Sequence, residues 1–490
     1  LSTMVDDLWD QHATVLARDR EATEDPLPVW PAEDPHASGS TRSAKEAVRK
    51  RGLLNDDGDL ATPFRRLKLV MEYWCALWFW SIHGSDQLPS REQWWMEIGA
   101  ILEGNVVDLT PDPQFDLGLA PEPQPEPPEQ ASATQLSLLR PEPQMAPASD
   151  PTGPNLHDRF GQLRISRLRE HFPRVKTVED LAMTARFLHW GLNFADVFAR
   201  RGGFDLVLGN PPWIKVEWKE AGILGEKNPL FAIRKSSASD LGKLRDEAFS
   251  TFPGLQDAWT AELEQADATQ NFLNGTQNYP LLKGMQTNLY KCFLPLGWRL
   301  ASSQGVAAYL HPEGPYEDPK GGALREAIYP RLRTHFQFQN EFQLFTGTND
   351  HGRMRFGLHI YSTPQKHVLF DHISNLFLPT TVDGCYAHAG DETVGGIKAE
   401  DGKWNVLGHW DRIVHVDDAA LAVFAQLYDE QRIPPRRARL PALHAGTLQG
   451  VLNKLAAYPR RLADLEDAYT STEMWHETMQ QKDGTIYRRP

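Results

Sequence analysis

The stretch Phe204-Asp-Leu-Val-Leu-Gly-Asn-Pro-Pro-Trp213 decides the fold class of this 490-residue chain. Its first six residues form a short apolar run that Gly209 closes, and the two prolines that follow cannot continue a strand ladder. Such a run predicts a buried strand of a parallel sheet. Asn210-Pro211-Pro212-Trp213 then follows the carboxyl end of this strand, which is where open α/β sheets bind their ligands.

Helix and strand patterns alternate downstream of this stretch. Helices are predicted at residues 288–300 and 322–328, and strands at residues 305–310, 336–342 and 355–361. The order strand, helix, strand, helix and two neighbouring strands is typical of the second half of a doubly wound sheet. The sequence therefore predicts an α/β domain over residues 155–375, with further helices at 155–171 and 178–187.

The upstream part of the chain, residues 1–110, is predicted to be a helical segment. Apolar residues recur at three- and four-residue intervals between Leu67 and Trp78, and Ser90 with Gln93 fits a helix-capping box. We interpret this Trp-rich region as core packing. Residues 111–154 are rich in Pro and Glu, bury little apolar surface, and are predicted to be a linker.

Composition limits the function classes. A formal net charge of −14 excludes a protein that binds nucleic acid through its overall field, so DNA binding requires a local basic cleft. Cys75, Cys292 and Cys385 are too few for a disulfide framework or a zinc site, and they favour a reducing, cytoplasmic location. The scattered histidines match no metal-ligand spacing, so no metal is predicted. No apolar run is long enough to cross a bilayer.

The tetrad Asn210-Pro211-Pro212-Trp213 has a chemistry that suits an exocyclic amine. The lone pair of adenine N6 is delocalised into the ring, so this nitrogen is a poor nucleophile until its hydrogens are drawn out of plane. The Asn210 side-chain carbonyl and the Pro211 backbone carbonyl can each accept one N–H, and the proline rings fix the backbone beforehand. Trp213 offers a flat face for a flipped base. The alternative is a Pro-Pro turn that ends a strand, with Trp213 in the core.

Two blocks of sequence resemble the gamma-class adenine-N6 DNA methyltransferases. The first runs from Phe187-Leu-His-Trp-Gly-Leu-Asn-Phe-Ala-Asp-Val-Phe198 through the tetrad, and the second contains Thr287-Asn-Leu-Tyr-Lys-Cys-Phe-Leu294 and Gly305-Val-Ala-Ala-Tyr-Leu-His-Pro312. Within that class, the chain is most similar to the large enzymes of type IIG restriction–modification and phage-defence systems. The family's usual Lys-Pro-Gly-Gly turn is here Ser302-Ser303-Gln304-Gly305.

The resemblance implies a fold, a cofactor and a set of site residues. It implies a partial Rossmann-like class I methyltransferase sheet, S-adenosyl-L-methionine as the methyl donor, and double-stranded DNA with a flipped adenine as the substrate. The implied acceptor residues are Asn210, Pro211, Pro212 and Trp213, with Phe345 as a second aromatic against the base. Asp196 or Phe194 would lie near the donor's adenine, Asn288 and Tyr290 would serve donor binding or packing, and Arg353 and Arg355 would meet phosphates.

The Gly-rich donor loop of this family is not found in the sequence. Gly202-Gly203, Gly321-Gly322 and Gly395-Gly396 are pairs in turns without the flanking strand and helix. The chain is therefore expected to begin after that loop, and other subunits or an upstream part of the polypeptide are expected partners. Residues 376–490 occupy the place of a target-recognition domain, and residues 469–477 resemble its start.

Two other functions remain open on the sequence. The same tetrad could act on a different acceptor, a glutamine amide in a protein, but the size of the chain and its long helical segments argue against this alternative. A non-catalytic DNA-binding or scaffold role, with the donor site absent or supplied by another chain, is the third hypothesis, and the missing Gly-rich loop is compatible with it.

Overall fold

The computed structural model describes residues 1–24, 41–51, 58–104, 155–233, 238–346, 354–429, 433–461, 464–465, 468, 470 and 476–486. The predicted linker at 111–154 and Arg353 lie outside these residues, as does most of the segment 469–477. The chain divides into two compact units. The helical unit comprises Leu1–Phe204, Val216–Asn278 and Arg299–Ser303, and the sheet unit comprises Asp205–Lys215, Tyr279–Trp298 and Gln304–Pro490. The predicted domain boundaries at 1–110, 155–375 and 376–490 stay a prediction.

The helical unit is built from the first group of α-helices. They are α1 (Ser2–Thr23), α2 (Arg42–Arg51), α3 (Pro63–Ala76), α4 (Arg91–Glu103), α5 (Ile165–His171), α6 (Pro173–Ala185), α7 (Trp190–Asn193), α8 (Ala195–Arg201), α9 (Glu220–Lys227), α10 (Leu230–Ile233), α11 (Ala238–Thr251) and α12 (Leu255–Asn274). Residues of α3, α4, α5 and α6 share one apolar core, in which Tyr73, Ile101, Leu168 and Val178 are fully buried.

The Trp-rich region packs at the margin of this core. Tyr73 is buried, as predicted for the region, but Trp74 and Trp95 are partly exposed and contact the neighbouring Trp94 instead. The capping box is confirmed: the Ser90 hydroxyl accepts from Gln93 N–H at 3.2 Å, and the Gln93 side chain accepts from Ser90 N–H at 2.9 Å.

One helix of this unit is shorter than predicted. Of the predicted helix at 155–171, only Ile165–His171 is helical. The residues before it pair in extended form instead, through bridges between His157 and Leu163 and between Leu60 and Arg164. The second helix begins at Pro173, five residues before the prediction, because proline fits the first turn of a helix, where its missing N–H costs nothing.

The sheet unit is a mixed α/β structure around six strands. These are β1 (Phe204–Gly209), β2 (Ala301–Pro312), β3 (Leu332–Gln339), β4 (Arg355–Tyr361), β5 (Leu369–Leu376) and β6 (Val414–Asp417), in the spatial order β1-β2-β4-β3-β5-β6. Its helices are α13 (Leu289–Leu300), α14 (Gly314–Glu317), α15 (Gly322–Ile328), α16 (Thr380–Ala387), α17 (Asp418–Tyr428), α18 (Thr447–Ala457) and α19 (Glu477–Lys482). Short 3₁₀ turns occur at Ile82–Gln87, Pro280–Leu282, Pro319–Gly321, Asn340–Phe342, Trp410–Arg412 and Pro435–Arg437.

Strand directions set which ends share an edge. β4 is antiparallel to both β2 and β3, whereas β3 is parallel to β5. β2, β3 and β5 therefore run in the same direction, and their carboxyl ends lie at one edge of the sheet. β6 is antiparallel to β5. The sheet is mixed, whereas the sequence pattern predicted the second half of a doubly wound, parallel one.

The predicted strands exist, with three corrections. β1 is an edge strand and not a buried one: Leu206 and Leu208 are 60% and 76% exposed, although their apolar character predicted burial. β3 begins at Leu332 and ends at Gln339, where a 3₁₀ turn replaces the predicted strand end. β5 and β6 were not predicted, because their polar residues interrupt the alternation that identifies a strand. The helix Gly322–Ile328 and the strand Arg355–Tyr361 are confirmed at their predicted bounds.

Among the described residues, no helix combines the length and the apolar character needed to span a bilayer.

Candidate active site

The tetrad forms the loop that follows β1. Asn210 and Pro212 are exposed, Pro211 is buried, and Trp213 is half-buried. The Asn210 side chain makes no hydrogen bond to any described residue. An exposed amide beside a buried proline is free to meet a ligand, while the proline holds the loop in place.

Trp213 is fixed to the neighbouring strand. Its indole Nε1 donates a hydrogen bond to the backbone carbonyl of Leu310, in β2, at 3.2 Å. The ring also contacts Phe356 at a centroid distance of 5.9 Å and Phe345 edge-on at 5.4 Å. Trp213 therefore lies at the border of an apolar cluster on the sheet, with part of its surface open. Its packing against this cluster is also what the alternative, a Pro-Pro turn with Trp213 in the core, predicts.

Phe345 reaches this cluster because Asn340 holds its backbone. The buried Asn340 side chain accepts from Phe345 N–H at 3.0 Å and donates to the Phe345 carbonyl at 2.9 Å. Asn340 follows the carboxyl end of β3 directly. Sequence reasoning did not find this residue, although a polar side chain just after a strand is the signal that would have pointed to it.

Residues that follow the tetrad are tied to the start of α13. The Ile214 carbonyl accepts from Leu289 N–H at 3.1 Å, and Lys215 forms an isolated bridge with Asn288. Asn288 is half-buried, and its Oδ1 has no hydrogen-bond partner among the described residues. Tyr290 is buried with its ring stacked on His311 at 5.5 Å, and burial raises the pKa of its phenol. Packing is thus the role that the contacts of Tyr290 support.

Asp196 and Phe194 belong to the helical unit. Asp196 lies buried in the first turn of α8 and forms an ion pair with Arg20 at 2.9 Å. Its second oxygen, Oδ1, is buried without a hydrogen-bond partner among the described residues. The Phe194 ring stacks on Trp190 at 5.6 Å and also contacts the Arg20 guanidinium.

These contacts bear on whether Asp196 and Phe194 could bind the adenine of the implied methyl donor. The orphaned Oδ1 of Asp196 is a suitable acceptor for the amine of the donor's adenine. The Phe194 ring already has three partners, Trp190, Phe204 and the Arg20 guanidinium, so its fit as a stacking platform is poorer.

Arg355 is the described member of the proposed phosphate pair. It begins β4, its side chain is 42% exposed, and it forms an ion pair with Glu317 at 2.8 Å. A guanidinium with one carboxylate partner retains further N–H donors, so it remains able to contact a phosphate.

Known proteins give only distant matches to this chain. No protein-family model and no curated protein match the chain. Two of the solved structures that are similar to parts of it come from type I restriction–modification systems. One is a chain of a type I restriction–modification system, studied for complex assembly and conformational transition. It is 13% identical, with a TM-score of 0.22, over 58% of this chain and 46% of that one.

The other is a modification subunit of a type I restriction enzyme from Vibrio vulnificus YJ016. It is 13% identical, with a TM-score of 0.19, over 51% of this chain and 69% of that one. At this identity and these TM-scores, neither structure assigns a function to this chain. The chain spans less than half the length of the first of them.

Proposed function

We propose that this chain carries the acceptor site of an S-adenosyl-L-methionine-dependent DNA methyltransferase that modifies adenine N6. The observation that supports this most is the loop after β1, in which an exposed Asn210 precedes a half-buried Trp213. Phe345 lies edge-on to that indole, so an amide and two aromatic rings are available together. A role in restriction–modification or phage defence, together with other subunits, is part of the proposal.

The fold is compatible with this proposal. The Trp213 hydrogen bond reaches β2 near its carboxyl end, and Asn340 and Phe345 follow the carboxyl end of β3. Since β2 and β3 run in the same direction, these groups share one edge of the sheet, as ligand sites of α/β proteins do. We propose that the sheet is the second half of a Rossmann-like methyltransferase sheet, and that residues 376–490 begin a target-recognition domain.

The residues of the loop would act on the target amine. The Asn210 side-chain carbonyl and the Pro211 carbonyl would each accept one N6 hydrogen, which localises the nitrogen lone pair. The rings of Trp213 and Phe345 would contact the flipped base and hold it in place. S-adenosyl-L-methionine, when bound, would supply the electrophilic methyl group. The amine nitrogen would take this methyl group, the carbon–sulfur bond would break with its electrons left on sulfur, and one N6 proton would be lost to water.

The test is transfer of a tritiated methyl group to unmethylated genomic DNA, with N6-methyladenine identified among the released nucleosides. Asn210→Ala is expected to lower the rate by about 10²-fold or more, because it removes one preorganised hydrogen-bond acceptor. Asn453→Ala is the matched control, because Asn453 is an exposed asparagine on α18. Equal rates for the two variants would contradict the proposed role of Asn210.

Protein acceptors separate this proposal from glutamine methylation. Label that enters a mixture of denatured proteins and not DNA would reject adenine as the substrate. If the chain neither transfers a methyl group nor binds S-adenosyl-L-methionine by calorimetry, but does bind duplex DNA, the non-catalytic scaffold hypothesis is supported.

A further inference from the structure

A row of buried histidines crosses the sheet of the second unit. His359 of β4 and His372 of β5 are each paired in register with His335 of β3. The ring centroids of His335 lie 4.8 Å from those of both neighbours, and His311 of β2 stacks on His359 at 3.7 Å. All four are fully buried, so residues far apart in the sequence form one polar layer inside the protein.

Glu313 reaches into this row from the residue after β2. Its carboxylate oxygens lie 3.1 Å and 3.2 Å from His335 Nε2, and one of them lies 3.9 Å from His359 Nε2. Glu313 is 3% exposed. One donor atom from each of Glu313, His335 and His359 lies within 4.8 Å of the others.

The buried carboxylate of Glu313 faces two imidazoles, which carry a positive charge only when they are protonated. Among the described residues, its ion-pair partners are His335 and His359, and neither an Arg nor a Lys contacts it. An isolated charge in a protein interior is strongly unfavourable unless a cation compensates it. Two imidazole nitrogens and one carboxylate oxygen are ligands that Zn²⁺ prefers. Bonds of about 2.0–2.2 Å place tetrahedral ligands roughly 3.3–3.5 Å apart, so these three atoms, which lie within 4.8 Å of one another, would have to move closer together around the ion.

Gln337 supplies an independent indication. Its side chain is buried two residues after His335, on the same face of β3, with Nε2 3.2 Å from Glu313 Oε2. Its Oε1 is buried without a hydrogen-bond partner among the described residues. Because the nitrogen and oxygen of an amide are interchangeable in such an assignment, a half-turn of the group directs the carbonyl oxygen toward the carboxylate. In that orientation the carbonyl oxygen of Gln337 could bind a cation together with Glu313, in place of the hydrogen bond that its nitrogen donates.

The surroundings of the cluster also suit a metal. Tyr316 Oη lies 3.2 Å from His359 Nδ1, so it can orient that ring with Nε2 toward Glu313, as the second nitrogen of a ligating histidine is usually held; Nε2 also lies 3.4 Å from the His311 carbonyl, a contact that a metal would replace. Gly357, which pairs with Gln337, leaves space for the side chains of Glu313 and His359. A Cβ at this position would lie 2.5 Å from Glu313 Oε1 and 2.5 Å from His359 Cε1.

We propose that Glu313, His335 and His359 bind a divalent transition metal ion, with Gln337 as the fourth ligand and Zn²⁺ as the ion. The site is enclosed, so the ion is structural and joins β2, β3 and β4. Side chains alternate between the two faces of a strand, and His335 and Gln337 therefore lie on the opposite face of β3 from Phe336 and Phe338, which pack in the Trp213 cluster. The ion would thus stabilise the sheet and not contact the base.

The test begins with the full chain, purified without chelator and measured by plasma mass spectrometry. About one zinc ion per chain is expected, and removal of zinc by a strong chelator is expected to lower the melting temperature, because an ion that binds only the folded state stabilises it. Added Zn²⁺ is expected to restore the melting temperature. A chain that contains no metal and whose melting temperature does not change with Zn²⁺ or Co²⁺ overturns the proposal.

Variants locate the ion. Glu313→Gln and His359→Gln are expected to reduce bound zinc to background. His372→Gln is the matched control, since His372 belongs to the same stacked row but not to the cluster, and this variant is expected to retain zinc. Zinc retained by all three variants overturns the assignment, and so does zinc lost only from His372→Gln.

Spectroscopy of the unmodified chain covers the case in which the variants do not fold. X-ray absorption at the zinc edge is expected to show nitrogen and oxygen ligands with imidazole scattering from two histidines. Sulfur ligands, or the absence of imidazole scattering, overturn the proposal. In a metal-free chain with full thermal stability, a protonated His335 paired with Glu313 is instead the source of the compensating charge.

Discussion

The position of Phe345 depends on one buried side chain. Asn340 binds both the N–H and the carbonyl of Phe345, and the Phe345 ring then contacts Trp213 and Phe356. A hydrogen-bonded amide of this kind fixes a loop without occupying the space in which a ligand would bind. At the scale of single residues, the candidate site is thus a rigid aromatic pair next to an exposed asparagine.

A second residue of interest at this scale is His189. Burial, with a smaller contribution from Lys68, lowers the pKa of His189 to about 4 from 6.5. The folded protein therefore binds this proton more weakly than the unfolded chain does. The stabilisation is complete above about pH 6.5 and is lost as the pH falls toward about 4.

We predict that the free energy of unfolding falls by about 2 kcal/mol more between about pH 7.5 and about pH 5 in the original chain than in His189→Gln. Urea unfolding of both proteins at the two pH values measures this difference. His83→Gln replaces an exposed histidine and is the control. A pH dependence that is unchanged in His189→Gln would show that the charge on His189 is not responsible.

Elements of this protein are determined by local signals at their ends and by tertiary contacts along their length. α4 begins where the Ser90 and Gln93 side chains satisfy each other's backbone N–H groups, and its later residues Ile98, Ile101 and Leu102 join the core of the helical unit. Strand β3 alternates between His335 and Gln337 on one face and Phe336 and Phe338 on the other. One strand thus serves both the buried polar cluster and the aromatic cluster.

The capping box gives a prediction for α4. Ser90→Ala removes the hydroxyl that accepts from Gln93 N–H, and is expected to destabilise the helical unit by about 1 kcal/mol. Ser90→Thr keeps a hydroxyl and is expected to lose only a small part of that stability. Chemical denaturation of the three proteins compares them, and equal stability of the Ala and Thr variants would argue that the cap does not contribute.

At the scale of the whole molecule, charge is the dominant constraint on DNA binding. The net charge of −14 opposes approach to a polyanion, so binding would depend on a few local cations. Arg355 is an exposed candidate, and its partner Glu317 reduces the local positive charge.

Arg355→Gln is predicted to weaken DNA binding about equally for different duplex sequences and to reduce the slope of log K against log salt by about 0.9, which corresponds to one phosphate contact. Fluorescence anisotropy of a labelled duplex over a range of salt concentrations measures both quantities. Arg460→Gln changes the net charge equally at an exposed position and should leave the slope unchanged. If both variants change the slope by the same amount, Arg355 makes no specific contact.

The sequence by itself determined the local structure. The strand Arg355–Tyr361, the helix Gly322–Ile328 and the cap at Ser90 follow from periodicity and hydrogen-bonding chemistry that operate within a few residues. It also identified Asn210-Pro211-Pro212-Trp213 as the candidate site, since a polar loop after a short apolar strand is a local pattern.

Only the tertiary structure decided which distant residues meet. Strand order put β1 at an edge and exposed its leucines, because apolar content alone does not distinguish an edge strand from a central one. Pairing of β3 with both β4 and β5 aligned His335 with His359 and His372, which have no recognisable spacing in the sequence. The physical reason is that register between strands depends on the packing of both faces together, and that information is not contained in any single segment.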